Sequence, residues 1–267
     1  MKLIRYFYCR ILTKTMTSKR KLVATLACRN QGNRLYGKPI QNLDVEQKIK
    51  VIDQIIDCIK SITVIDDCIL AVAMGAENDV FVRIAEDHQI NVVRGDEHDV
   101  LHRLILAGLA ADATDIFRVT TESPFLYFEA VEDSWKKFVD GQYDALFLDN
   151  IVDGCGFEII TMDALIKSHK FGEAKHRSEM CSLFIRENSH DFEILRLSPP
   201  DSLMRFDLRL TIDNPEDLVV CRSIYSWFSG LYPRIPVLSI IEFLDRNPEL
   251  IALTSPFTEN GYKTMYR

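Results

Sequence analysis

The sequence has no CxxC pair, no HExxH, and no apolar stretch near the ~20 residues that span a bilayer. Its seven cysteines, Cys9, Cys28, Cys58, Cys68, Cys155, Cys181 and Cys221, are odd in number and scattered. That argues against a disulfide scaffold or a zinc cluster and for reduced thiols in a cytoplasm. The six histidines are dispersed too, which removes the helical zinc-protease pattern. Also missing are the GxxxxGK[ST] phosphate loop, the GxGxxG dinucleotide turn and any D-x-D pair. The chain therefore reads as soluble and cytoplasmic, without the commonest nucleotide signatures.

Acid is absent where it would be informative. Residues 1–43 hold ten Lys/Arg and no Asp or Glu, leaving 22 basic against 39 acidic side chains in the remainder. The acidic body disfavours nucleic acid, which needs a broad basic face. A locally basic first segment instead suits a small polyanion such as a nucleoside triphosphate. At 267 residues and 47% apolar composition the chain can bury the core of one domain, with at most a small lobe added. We expect residues 20–267 to form that domain. The start, "MKLIRYFYCRILTKTMTSK", has its apolar run broken by Arg5 and Arg10 and no small-residue cleavage site, so it does not read as a signal peptide. Residues 1–19 read as a basic extension with Met16 near the start of the fold; an amphipathic surface-binding segment is the alternative.

From Lys21 the pattern alternates. Strands are expected at 22–28, 68–74, 90–95, 115–121 and 144–149. Helices are expected at 45–60 (capped by Asp44 with Gln47), 77–89, 100–113 (capped by Asp99) and 125–140. Strands separated by 10–15-residue helical patterns predict βαβ units and a mostly parallel sheet. After Asn150 the pattern becomes α+β: 156–168, a helix near 178–188, apolar runs at 192–198 and 205–213, and a closing helical pair at 215–229 and 238–246.

Three constellations carry chemistry. "TLACRNQGNRLYGKPI" leaves the first strand at the carboxyl edge, where open α/β sheets bind ligands. It joins glycines that free backbone N–H groups to arginine forks and a lysine point charge. "RVTTESPF" brings Glu122 to that same edge. In "LRLTIDNPEDL" Asp213 ends an apolar strand, and Pro215, Glu216 and Asp217 open a helix. Asp213 is either that helix's N-cap or, with Glu122 and substrate phosphate, a Mg²⁺ ligand. Asp99 and Arg103 in "DEHDVLHR" read equally as a cap with a solvated helix residue or as nucleotide contacts. Trp135 and Trp227 read as core or dimer surface.

Taken together, "ACRNQGNRLYGKP", "RGDEHDVLHR", "RVTTESPF", "DGCGFEII" and "LRLTIDNPEDL" resemble, in order and spacing, the motifs of the cytidylyltransferase family. That family includes SpsF-like spore-coat polysaccharide proteins and the CMP-KDO and CMP-acylneuraminate synthetases. The resemblance covers about residues 20 to 250 and implies an α/β, Rossmann-like nucleotidyltransferase fold of GT-A-like type. It implies a reaction that moves CMP from CTP to a sugar acid, sugar phosphate or related acceptor with release of pyrophosphate, for surface-glycan synthesis. It further implies Mg²⁺ and a homodimer. Carried over residue by residue, Cys28, Arg29, Gly32, Arg34, Lys38, Asp99, Arg103 and Thr121 would meet the nucleotide, with Arg29 and Lys38 catalytic. Glu122 and Asp213 would hold the metal, and Glu158, Glu179 and Arg209 the acceptor.

The sequence departs from the family at Glu122, where an aspartate is usual, and at Gln31, Gly32 and Tyr36 in the loop. It departs again at Met180, where relatives have a histidine, and at Gly156, where an acid is common. Two other readings follow. One is a nucleotide-binding pseudoenzyme; the other is a GT-A glycosyltransferase, against which the missing D-x-D counts.

Overall fold

The computed structural model describes residues 19–32 and 34–264. The expected extension over 1–19 therefore lies, apart from Lys19, outside the described residues. β1 (Leu22–Cys28) is the third strand of a seven-stranded sheet of order β5-β4-β1-β6-β8-β7-β9. Its neighbours are β4 (Asp67–Ala73) and β6 (Asp115–Arg118), both parallel to it, with Ala24 opposite Cys68 and Phe117. β5 (Asn91–Gly95) extends the parallel side. β8 (Glu158–Thr161) runs antiparallel between β6 and β7 (Ala145–Phe147), and β9 (Ile194–Arg196) closes that edge. A separate hairpin, β2 (Asn42–Asp44) with β3 (Ile49–Lys50), follows the basic loop.

The alternation of β1 explains the layering. Leu22, Ala24 and Leu26 face one apolar cluster with the helices Val51–Lys60 and Pro215–Phe228. Val23 faces the opposite cluster with the helices Val100–Ala110 and Met162–Phe171. Such two-sided burial is what a continuous apolar strand requires. Truncating Leu26, fully buried at its centre, to Ala would cost about 2–5 kcal/mol.

The alternating core of the expected order is found, and the mostly parallel sheet with it. Boundaries differ where local chemistry intervened. The first helix begins at Val51 and not at 45, because Lys48 at φ 59° turns the β2–β3 hairpin. Asp44 caps no helix: its Oδ1 accepts the Gln47 N–H at 2.8 Å inside that turn. The Asp53 carboxylate caps the helix start instead, accepting the Lys50 backbone N–H at 2.8 Å. The helix expected from 125 starts at Val131, after a short turn at Phe128–Ala130. The run 205–213 joins no strand of the sheet and meets its neighbour in a single bridge, Asp153 with Arg209. A third closing helix, Pro248–Thr264, follows Val237–Asp245. Trp227 is 71% exposed on the closing helices, its ring tilted against that of Phe243 with centroids 5.4 Å apart. No helix among the described residues is long and apolar enough to cross a membrane.

Candidate nucleotide and metal site

The carboxyl ends of β1 and β6 open onto a cavity of about 590 Å³. The loop after β1 forms one wall. It folds back through Gly37, whose N–H donates to the Asn30 carbonyl at 2.9 Å. Gly37 takes φ 61°, a left-handed conformation that favours glycine. The short turn Lys38–Ile40 then starts with Pro39 in its first positions, and Lys38 crosses to the far end of the chain. Its Nζ lies 2.5 Å from Asp213 Oδ1, and Arg34 reaches the same oxygen at 3.1 Å. Burial works to raise the Asp213 pKa, but the Lys38 hydrogen bond and charge, with Arg209 and Arg34, outweigh it. The carboxyl is held below its ordinary value.

Glu122 lines the opposite wall, just after β6. Its carbonyl accepts the N–H of Ile212 at 3.0 Å, so its backbone runs beside the residue preceding Asp213. Burial pushes the Glu122 carboxyl up; Lys38 opposes this and the Asp213 charge adds to it. Thr121 turns its hydroxyl to the Ala27 carbonyl at 3.2 Å and contacts Glu122 Oε2 at 3.3 Å. Two carboxylates from adjacent backbones, facing one lysine, suit a cation that completes its shell with phosphate and water. No group of three His, Cys, Asp or Glu forms a closed metal cage among the described residues. A divalent ion at this place would rest on Asp213 and Glu122.

Arg103 forms the floor. It is 1% exposed and donates from one terminal nitrogen to the carbonyls of Cys28 at 3.0 Å and Ala71 at 3.4 Å. Its Nε is buried without a hydrogen-bond partner, and burial pulls the guanidinium pKa down. A buried cation served only by carbonyls is costly unless an anion meets it. At the mouth, Arg29 pairs with Glu179 at 3.7 Å and Glu97 at 4.0 Å.

Of the residues expected from the sequence, the cavity wall contains Arg29, Gly32, Arg34 and Lys38 from the loop, and Arg103, Thr121, Glu122 and Glu179 from elsewhere. Asp213 stands one contact behind Lys38. Four others are placed differently. Cys28 has its thiol buried under the loop. Asp99 caps the helix Val100–Ala110, accepting the His102 N–H at 2.9 Å, and pairs with His169 at 2.8 Å. Glu158 is tied to Arg118 at 2.7 Å, Arg186 at 2.8 Å and the Ser182 hydroxyl at 2.6 Å. Burial acts to raise its pKa, yet the two guanidinium charges hold it down. Arg209, expected at the acceptor, is 2% exposed and holds Asp153 at 3.0 Å, Asp217 at 3.1 Å and Asp213. Its donors face inward because three carboxylates surround it.

Sequence reasoning passed over Arg118, which lines the wall and donates to the Glu179 carbonyl at 2.7 Å, and Glu97 at the mouth. Arg118 opens the motif "RVTTESPF" and could have been found from its place at the end of β6.

No family model matches the chain. Its sequence is 27% identical over 243 residues to an uncharacterized protein of Methanocaldococcus jannaschii, a match spanning 91% of this chain and 98% of that protein. It is 24% identical to the spore coat polysaccharide biosynthesis protein SpsF of Bacillus subtilis, spanning 69% of this chain and 77% of the other. Among solved structures, a cytidylyltransferase from Leptospira borgpetersenii superposes with a TM-score of 0.78 at 20% identity, covering 88% of this chain and 97% of that one. A CMP:2-keto-3-deoxy-manno-octonic acid synthetase in complex with CTP gives 0.58 at 12% identity, covering 78% and 99%. The fold is thus the Rossmann-like nucleotidyltransferase fold, and the resemblance to cytidylyltransferases drawn from the motifs recurs in both sets of matches.

Proposed function

We propose that this chain is a cytidylyltransferase, which moves CMP from CTP to a small acceptor with release of pyrophosphate in surface polysaccharide or glycan synthesis. The acceptor is a sugar acid, a sugar phosphate or a related compound, and the enzyme works with Mg²⁺ in the cytoplasm as a homodimer. One domain, residues 20–267, carries it. The observation that carries the reading is the meeting of Lys38 and Arg34 on one oxygen of Asp213, opposite Glu122, at the carboxyl edge of the sheet. Fixed cations that hold a polyphosphate stand there against carboxylates that hold its counter-ion. The likeness to cytidylyltransferases, one of them in complex with CTP, and to SpsF supports the nucleotide and the pathway.

In the reaction the acceptor oxygen bonds to the α-phosphorus as the bridge to the β-phosphate breaks; that bond's electron pair leaves on pyrophosphate, and an acceptor hydroxyl gives up its proton to water. Bound Mg²⁺ supplies neutralisation of charge on the phosphate oxygens. The protein's share is alignment and fixed positive charge, with no covalent step of its own. Arg29, Arg34 and Lys38 bind the triphosphate, with Arg29 and Lys38 placed to stabilise the departing pyrophosphate. Gly32 and Thr121 give the nucleotide close backbone approach and a hydroxyl. Arg103 offers the floor's guanidinium. Glu179, reaching Arg29 across the mouth, and Glu158, holding Arg118 in the wall, shape the acceptor side.

The test is pyrophosphate release with Mg²⁺ and each of the four NTPs against a panel of sugar acids and sugar phosphates. CTP-specific release that Asp213→Ala abolishes is expected. Tight CTP binding without release in the wild type, with release appearing in Glu122→Asp, would instead make the chain a nucleotide-binding pseudoenzyme.

A further inference from the structure

Asp213 is held by two sets of groups, one on each carboxylate oxygen. Oδ1 faces the cavity cations Lys38 and Arg34, while Oδ2 is taken by Arg209. Behind Arg209 stand two more aspartates, Asp153 and Asp217, which lie within the quoted motifs but received no role in the site and do not line the cavity. Asp153, 6% exposed, accepts from one terminal nitrogen at 3.0 Å, and Asp217, fully buried, accepts from Nε at 3.1 Å. Asp217 also binds the backbone N–H of Asp213 at 2.9 Å and of Asn214 at 2.7 Å. The chain is stitched at the same place. The Leu210 N–H donates to the Asp153 carbonyl at 2.8 Å, and Asp153 and Arg209 form the isolated bridge. Gly154 follows at φ 92°, with a Cβ there falling 2.7 Å from the Thr211 nitrogen. The seam admits no side chain.

We infer that Asp153 and Arg209 are positioning residues for Asp213, and that Asp153 raises the site's affinity for a divalent cation without touching it. The inference rests on the reading of Asp213 as a cation ligand. Three carboxylates share one guanidinium, so the cluster carries a net charge of −2, and it meets the cavity wall through Asp213 Oδ1, on which Lys38 and Arg34 converge. The three-pronged hold fixes the rotamer of Asp213 and commits Oδ2 to the framework, leaving Oδ1 to serve as a single-oxygen ligand. Asp153, buried behind the guanidinium, keeps Arg209 from neutralising Asp213. In a site screened from water such a charge acts over the length of one side chain. Groups behind a metal ligand that orient it and tune its charge shift metal affinity by about 10–100-fold.

Equilibrium dialysis with radiolabelled CTP tests this, using the full chain in excess EDTA and in saturating Mn²⁺. The readout is the ratio of the two dissociation constants, which reports coupling of cation to nucleotide and is independent of the fraction of protein that is folded. In the wild type Mn²⁺ is expected to tighten CTP binding, and in Asp213→Asn the tightening disappears. Asp153→Asn, nearly isosteric, is expected to reduce the ratio about tenfold while leaving the EDTA value within twofold. Should that variant not fold, Arg209→Lys, which keeps the charge and loses the fork, carries the same test. A ratio intact in Asp153→Asn and Arg209→Lys but lost in Asp213→Asn overturns the inference alone. No tightening in the wild type overturns the reading of Asp213, and the inference with it.

Discussion

Lys38 and Asp213 lie 175 residues apart in the chain, yet Lys38 Nζ sits 2.5 Å from Asp213 Oδ1. The contact joins the loop after the first strand to the start of the helix Pro215–Phe228, and so brings the two strongest motifs into one site.

Replacing Lys38 with Met removes a fixed cation from the place where pyrophosphate departs. The expected result is a fall in kcat/KM of roughly 10²–10³, the usual cost of losing one charge-stabilising donor. Lys38→Arg should recover part of it. Steady-state pyrophosphate release measures both. Equal rates for wild type and Lys38→Met would remove Lys38 from the machinery.

Arg103 sets stability against binding. A buried guanidinium with carbonyl partners and an unpartnered Nε is a burden on the fold. Arg103→Met fills similar space without charge. Its melting temperature is expected to hold or rise, while KM for CTP increases about tenfold or more, in the manner of function traded for stability. Differential scanning calorimetry beside the kinetic assay reads the two effects; a large drop in stability with unchanged KM would make Arg103 a framework residue.

His88 bridges Asp53 and Asp57, 3.0 Å from each. The hydrogen bond to Asp53, then that to Asp57, raises its pKa from 6.5 to about 9. Because the folded value lies above the unfolded one, the stabilisation is fully present below pH 6.5 and is lost as pH rises through about 9. The wild type should lose about 1–2 kcal/mol between pH 6.5 and 9.5, after allowance for partial exposure. In His88→Gln that slope should flatten. Urea melts across this pH range check it.

The expected extension can be tested from its edge. Arg20 grips the fully buried Asp115 through Nε at 2.9 Å and a second nitrogen, and its guanidinium lies 4.8 Å from the Phe138 ring centre. Deleting residues 1–15 is expected to leave the melting temperature within about 2 °C. Arg20→Met, which strands the Asp115 charge, should cost about 2–4 kcal/mol, as breaking a buried pair does. Thermal melts of both variants decide where the fold begins.

Much of the architecture was legible because two-sided burial writes itself into β1 as an unbroken apolar run, and amphipathic spacing marks the helices around it. The hairpin at 42–50 was not, since an Asx turn at Asp44 imitates a helix cap over four residues and only the chain beyond tells them apart. Nor was the role of 205–213: its apolar alternation is that of a strand, but its partner is one bridge to Asp153.

The site divides in the same way. Local sequence determined the basic loop, its glycine turn at Gly37, and the acids at the ends of β6 and before Pro215, because backbone freedom, charge and capping act over a few residues. Tertiary structure alone decided which charges meet. It turned Arg209 away from the cavity onto three aspartates, gave Asp99 to His169 and Glu158 to Arg118 and Arg186, and set the buried Arg103 into the floor. Side-chain electrostatics depend on distance through space and on exclusion of water, and both are fixed only when segments remote in the chain are packed together.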